Sequence, residues 1–223
     1  MTASTELVQR ATGLVRDARR AVLGITGAPG DGKTTLAQEL VATIAAATGA
    51  RWVAHVPMDG FHLADDELAR LGHLGRKGAP DTFDSAGYAA LLRRLRVPEP
   101  GITYAPTFER DLEQPIAGAI PVFPECRLVI TEGNYLLLDD PAWTRVRGEL
   151  DEVWFCAADD ALRRERLVAR HVQFGKAPSE AAAWVTGTDE PNATLIATTA
   201  SHADLVVRTG DAHSGESSTR SAT

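Results

Sequence analysis

The sequence predicts an α/β fold in which a mainly parallel sheet is flanked by helices. Three features predict it. Short apolar runs of strand length recur at residues 21–26, 51–56, 127–131, 152–157 and 204–208. Stretches with apolar residues at helical spacing alternate with them, and that alternation builds parallel sheets. The first run leads into a Gly-rich loop, the second closes near Asp59 and the third at Glu132. Ligands collect at the carboxyl ends of such strands.

Each element follows from its own residues. Leu7, Val8, Ala11, Leu14, Val15 and Ala18 lie at helical spacing and predict a leading amphipathic helix over 4–20. The strand at 21–26 enters Gly27-Ala28-Pro29-Gly30-Asp31-Gly32-Lys33-Thr34, and a helix begins there and stops near Gly49. The second strand closes in Pro57-Met58-Asp59-Gly60-Phe61-His62-Leu63, ahead of a short helix over 65–71. Residues 72–84 are polar and Gly-rich, hence a loop. Ser85 is placed to cap a helix bearing Tyr88, Leu91, Leu92 and Leu95. The prolines of 102–121 predict short strands and turns. The strand at 127–131 runs into Glu132-Gly133-Asn134, and the strand at 152–157 leads into an arginine-rich helix over about 159–174. A further helix begins at Pro178, where proline suits the first turn. One domain over 1–209 is expected, with a lid at about 159–190 and a disordered Ser/Thr/Gly/Asp tail over 210–223.

Composition narrows the class. Hydrophobic residues make up 44% of the 223 and charged residues 24%, enough to bury a core. A net charge of −7 argues against nucleic acid as the partner. No apolar run is long enough to span a bilayer, and no signal peptide is evident, so no membrane partner and a cytoplasmic protein are expected. Cys126 and Cys156 lack metal-ligand spacing and read as inert core residues.

The chemistry gathers around the loop. G-x-x-x-x-G-K-[ST] between a strand and a helix is the phosphate-binding P-loop. Gly27, Ala28, Pro29, Gly30, Asp31, Gly32, Lys33, Thr34 and Thr35 then form the nucleotide cradle. Backbone N–H groups and the helix dipole hold phosphate there, Lys33 reaches the β/γ-phosphates, and the Thr34 hydroxyl sits on Mg²⁺. Glu132, closing an apolar strand, is placed to organise Mg²⁺, and Asp59 to accept a proton from an attacking hydroxyl. Spacing alone leaves those two roles exchangeable. Arg163, Arg166 and Arg170 share a helix face. Arg166 and Arg170 are read as phosphate contacts that stabilise charge in transfer, with Gly175 as a hinge.

These residues resemble the P-loop small-molecule kinases that include uridine kinase, phosphoribulokinase and bacterial pantothenate kinase. Met58-Asp59-Gly60-Phe61-His62 is similar to their second-strand motif. Val129-Ile130-Thr131-Glu132-Gly133 is similar to their apolar-strand-then-Glu-Gly motif, and residues 163–171 to the uridine kinase lid. Residues 76–84 and 104–110 look more like a subgroup described as nucleoside/nucleotide kinase-like or fructose-kinase-like. The resemblance implies ATP and Mg²⁺ as cofactors, Asp59 as base, and Arg166 and Arg170 reaching in from a lid. It also implies a pocket for a small-molecule hydroxyl substrate at His62, Lys77, Asp81, Phe83, Tyr104 and Arg110. The resemblance further implies that Asn192 reaches the substrate, as an Asn after the lid does in pantothenate kinase, and that a homodimer is a frequent assembly.

The expected activity is therefore transfer of the ATP γ-phosphate to a hydroxyl of a nucleoside, a sugar such as fructose, or a pantothenate-like molecule. Two alternatives stand beside it. Arg76, Lys77 and Arg110 suit a nucleoside monophosphate kinase, whose substrate carries its own phosphate. A non-catalytic, nucleotide-gated binding protein is the other. A GTPase switch should carry Asn-Lys-x-Asp, which is absent; Asp84-Ser85-Ala86-Gly87 matches D-x-x-G but reads better as a helix N-cap.

Overall fold

The computed structural model describes residues 3–16 and 19–210. Ala18 of the leading helix and residues 211–223 of the expected tail lie outside the described residues.

In chain order the elements are α1 (Thr5–Gly13), β1 (Ala21–Thr26), α2 (Lys33–Thr48), β2 (Val53–His55), α3 (Asp65–Leu71) and α4 (Ser85–Arg96). Then come β3 (Thr103–Glu109), β4 (Gln114–Val122), β5 (Leu128–Glu132), α5 (Pro141–Arg147) and β6 (Glu152–Ala157). The chain closes with α6 (Asp160–Gln173), α7 (Pro178–Trp184), α8 (Glu190–Ala197) and β7 (Leu205–Arg208). Five strands form a parallel sheet in the order β2-β5-β1-β6-β7. Strands β1 and β5 are buried along their whole length, as central strands covered on both faces must be.

Two apolar clusters cover the faces. Val22 of β1 packs with Tyr88, Leu92, Val129, Tyr135, Trp143 and Val153. Its neighbour Leu23 points the other way, into Ile25, Leu36, Leu40, Ile44, Leu128 and Trp154. The period of two along a strand produces that division. Each fully buried Leu or Ile contributes about 2–3 kcal/mol of apolar burial before entropy is counted.

The structure corrects several sequence expectations. The leading helix ends at Gly13, capped at its start by Ser4, whose hydroxyl accepts from Leu7 N at 3.3 Å. The cap of α4 is Asp84, accepting from Gly87 N at 2.8 Å, and Ser85 is the first helical residue. The proline-rich stretch forms one antiparallel hairpin, β3–β4, with an irregularity between Ala105 and Thr107. Helix α5 was not expected; Asp140 caps it and Pro141 opens it.

Arg20, just before β1, is 3% exposed and ties three segments together. Its guanidinium donates to the carbonyls of Cys126 (2.8 Å), Leu95 (2.8 Å) and Phe123 (3.0 Å). Arg20→Ala leaves these carbonyls unmatched in the interior, so chemical denaturation should show a loss of about 3 kcal/mol. A loss below about 0.5 kcal/mol would mean that water replaces the guanidinium.

Candidate active site

Strand order places the chemistry. Strand β5 lies between β2 and β1, so the chain leaving β2 at Asp59, Glu132 at the end of β5, and the loop after β1 open on one side of the sheet. Two further bonds fix the end of β5. Thr131 Oγ1 donates to Val56 O at 2.5 Å, so its oxygen accepts from the Tyr88 hydroxyl, also at 2.5 Å. The acid–glycine pairs Asp59-Gly60 and Glu132-Gly133 have a packing reason. A Cβ on Gly60 would stand 2.5 Å from Pro106 O of β3, and one on Gly133 would stand 2.5 Å from Met58. Only glycine lets the hairpin and the Asp59 turn approach so closely.

In the P-loop, Gly27, Gly30 and Gly32 have φ of 149°, 85° and 83°. Lys33 is 7% exposed, and its ammonium donates to Ala28 O at 3.0 Å inside the loop. Burial pulls its pKa down while Glu132, Asp31, Cys156 and Asp59 hold it up. The Asp31 side chain does not face the phosphate space. It accepts from Ala28 N (2.7 Å) and Ala158 N (3.3 Å), and Thr209 Oγ1 donates to the Asp31 main-chain carbonyl at 2.5 Å. Asp31 therefore fastens the loop to the chain after β6 and after β7. Burial raises its pKa and Lys33 opposes that.

Glu132 is 6% exposed and accepts from Thr34 Oγ1 at 3.1 Å. Burial, and then Asp59, push its carboxyl up to about 7. A buried carboxylate beside a hydroxyl and a second acid is a hard oxygen donor set of the kind that holds Mg²⁺ together with substrate phosphates. No group of three or more His, Cys, Asp or Glu able to cage a metal occurs among the described residues. His55 was not anticipated. Its Nε2 is buried without a hydrogen-bond partner, 3.9 Å from Glu132 Oε1, and burial lowers its pKa to about 4. The ring is thus a neutral neighbour of the acid.

Asp59 accepts from Arg110 Nη2 at 3.1 Å, which brings the hairpin over the acid. The Arg110 guanidinium also lies over Phe108 (5.8 Å) and over Phe174 (6.0 Å), the residue capping α6. His62 donates through Nδ1 to Asp59 O at 2.8 Å and lies between Phe83 (4.1 Å) and Phe108 (4.6 Å), its ring tilted 44° to each. Burial lowers its pKa, opposed first by the Asp59 charge.

Of the helix α6 arginines, Arg170 is half-buried. Burial lowers its pKa, Arg110 adds a like charge, and Asp189, Asp59 and Glu132 oppose them. The Arg166 guanidinium lies beside Gly32 and Gly210, 3.8 Å and 3.6 Å from where their Cβ atoms would stand. Arg163 is engaged by Glu190 (2.6 Å) and Asp160 (3.3 Å).

The remaining pocket candidates fall elsewhere. Lys77 donates to Asp65 Oδ1 at 2.6 Å and to the Glu113 carbonyl, fastening the hairpin tip to α3. Asp81 is bound by Arg76 at 2.5 Å on the surface. Phe83 packs in the core near Tyr135 and Trp143. Tyr104 is 56% exposed, turned away from the side on which Ala105 is buried. Asn192 is half-buried on α8, two residues beyond Glu190.

The fold and this loop define the chain as a P-loop kinase, a phosphotransferase. It belongs to the uridine kinase-like group of that class. A Schizosaccharomyces pombe protein named as a candidate uridine kinase is 33% identical over 179 residues, covering 78% of this chain and 76% of its own. The Escherichia coli K12 protein YggC is 35% identical over 195 residues, covering 86% and 79%. A crystal structure of a candidate fructose transport system kinase from Silicibacter sp. TM1040 superposes with a TM-score of 0.80 at 37% identity, over 91% of this chain and 97% of its own. No protein-family model matches the chain. No helix among the described residues is long and apolar enough to cross a membrane.

Proposed function

We propose that this chain transfers the γ-phosphoryl group of Mg²⁺·ATP to a hydroxyl of a sugar, a nucleoside or a pantothenate-like molecule. The observation that carries the reading is the placement of Asp59. The acid stands across from Lys33, Thr34 and Glu132 at the ends of adjacent strands, under Arg110 from the hairpin. Thr34 and Glu132 would hold Mg²⁺, which would neutralise phosphate charge. Asp59 accepts the proton of the acceptor hydroxyl as its oxygen attacks phosphorus, and the bond to ADP breaks. Lys33, Arg166 and Arg170 balance charge on the group in transit, with α6 acting as a lid. His62, Phe108, Arg110 and Phe174 surround the acceptor.

ATP use is in keeping with an Aspergillus versicolor relative named an ATP-dependent kinase-like protein, 37% identical over 134 residues, 56% of this chain and 77% of its own. A hydroxyl acceptor without a phosphate fits better than a nucleoside monophosphate. Each cation that would grip a second phosphate is already paired: Arg76 with Asp81, Lys77 with Asp65 and Arg110 with Asp59. The test is ADP release across fructose, uridine, cytidine, adenosine, ribulose 5-phosphate, pantothenate and nucleoside monophosphates. One unphosphorylated acceptor should stimulate release. Stimulation by a nucleoside monophosphate alone would overturn the acceptor class.

A further inference from the structure

His55 takes no part in the reaction as drawn so far, yet the fold brings it to the acids. Side chains alternate along a strand. Val53 of β2 and Leu128 and Ile130 of β5 pack with Leu36 and Leu40 of α2. His55 and Glu132, the next residues on those two faces, therefore meet beside the start of α2, where Thr34 lies. Thr34 Oγ1 donates to Glu132 Oε1 at 3.1 Å, and His55 Nε2 stands 3.9 Å from the same oxygen. That nitrogen is buried and makes no hydrogen bond. A buried polar atom in this condition costs stability, so its presence calls for a reason. Arg163 Nη1 and His73 Nδ1 share the condition. Arg163, however, bonds Glu190 and Asp160 through its other nitrogens, and His73 lies 3.7 Å from the exposed Asp81. At position 55 an apolar side chain, such as that of Val53, would fill the strand face without the cost.

We propose that His55 is a positioning residue of the cation site: its Nε2–H donates to Glu132 Oε1 and fixes the carboxylate that, with Thr34, would hold Mg²⁺. The inference rests on that reading of Glu132. Carboxylates that ligate a metal are themselves oriented by outer hydrogen bonds, which count nearly as much as the ligands. The Thr34 hydroxyl gives Glu132 one such bond, but it belongs to the same ligand set and moves with α2. His55 offers a second donor from β2, whose backbone is paired directly to β5. A separation of 3.9 Å is longer than a hydrogen bond, and bonds of this kind are commonly long until bound ligands tighten the site. A small turn of the Glu132 side chain closes the gap without any movement of the sheet.

The test compares two variants of the full chain: H55L, which removes the donor, and H55Q, whose amide nitrogen reaches about as far as Nε2. Thermal midpoints are followed against Mg²⁺ at a saturating concentration of a non-hydrolysable ATP analogue. The Mg²⁺ concentration giving half the stabilisation should rise about tenfold or more in H55L and no more than about threefold in H55Q. In EDTA without nucleotide, H55L should melt no lower than the original chain, because the donor makes no bond there. In an E132Q background H55L should add no more than about twofold, since it acts through the carboxylate already removed. H55N, whose shorter amide reaches only about as far as Nδ1, stands in for H55L if that variant fails to fold. An E132Q chain with the original Mg²⁺ dependence overturns the cation reading and the inference with it. Equal shifts in H55L and H55Q, a shift within about twofold in H55L, or an H55L shift that persists in full beside E132Q overturns the positioning role alone.

Discussion

Asp59→Asn is expected to lower kcat about 10³-fold while ATP binds with a dissociation constant within about twofold of the original. The amide is nearly isosteric with the carboxylate, and its oxygen still accepts from Arg110 Nη2, now 3.1 Å away. His62 bonds the Asp59 main-chain carbonyl, so that contact is kept. The cradle of Gly27 to Thr35 and the Lys33 ammonium lie in a separate segment, the loop after β1 and the first turn of α2. What the variant lacks is an acceptor for the hydroxyl proton. ADP release measures the first quantity, and titration with a fluorescent nucleotide the second. Near-normal turnover would move the base to Glu132, the other acid facing the phosphates. Loss of binding together with turnover would instead make Asp59 part of the nucleotide site.

The parts of this site legible in the sequence are those written locally. The loop, its flanking strand and helix, and the two acid–glycine pairs each occupy a few consecutive residues. Their meeting needed only the rule that parallel strands bind ligands at their carboxyl ends. Longer-range contributions left no such trace. Arg20 bonds carbonyls 75 and 106 residues away, and Thr34 meets Glu132 across 98. His55 reads as one more residue of a short strand, and only the register β2–β5 sets it beside Glu132. The hairpin was obscured because prolines break its alternation, although Pro106, Pro115 and Pro121 all lie in its two strands. Lys77 and Asp81 were expected in the substrate pocket only because the family resemblance implied it. The fold satisfies each with a neighbouring opposite charge.

Glu132→Gln should separate function from stability. Turnover is expected to fall about 10³-fold, and the Mg²⁺ concentration for half-maximal rate to rise, because an amide is a weaker ligand for a hard cation than a carboxylate. The metal-free fold should gain. Burial and Asp59 push the Glu132 carboxyl up to about 7 from an ordinary 4.5. A folded-state pKa above the unfolded one means that the native chain holds its proton more tightly than the unfolded chain. Below about 4.5 both states are protonated and Glu132 costs nothing; the penalty grows as pH rises toward 7 and is complete above it. Gln carries no charge to bury. Melts in EDTA should therefore show matching midpoints for the two proteins near pH 4, and a variant about 7 °C higher at pH 8. A gap independent of pH would locate the gain in packing. A less stable variant at pH 8 would mean that Lys33 and Thr34 stabilise the carboxylate by more than burial costs, and the site would be balanced without its cation.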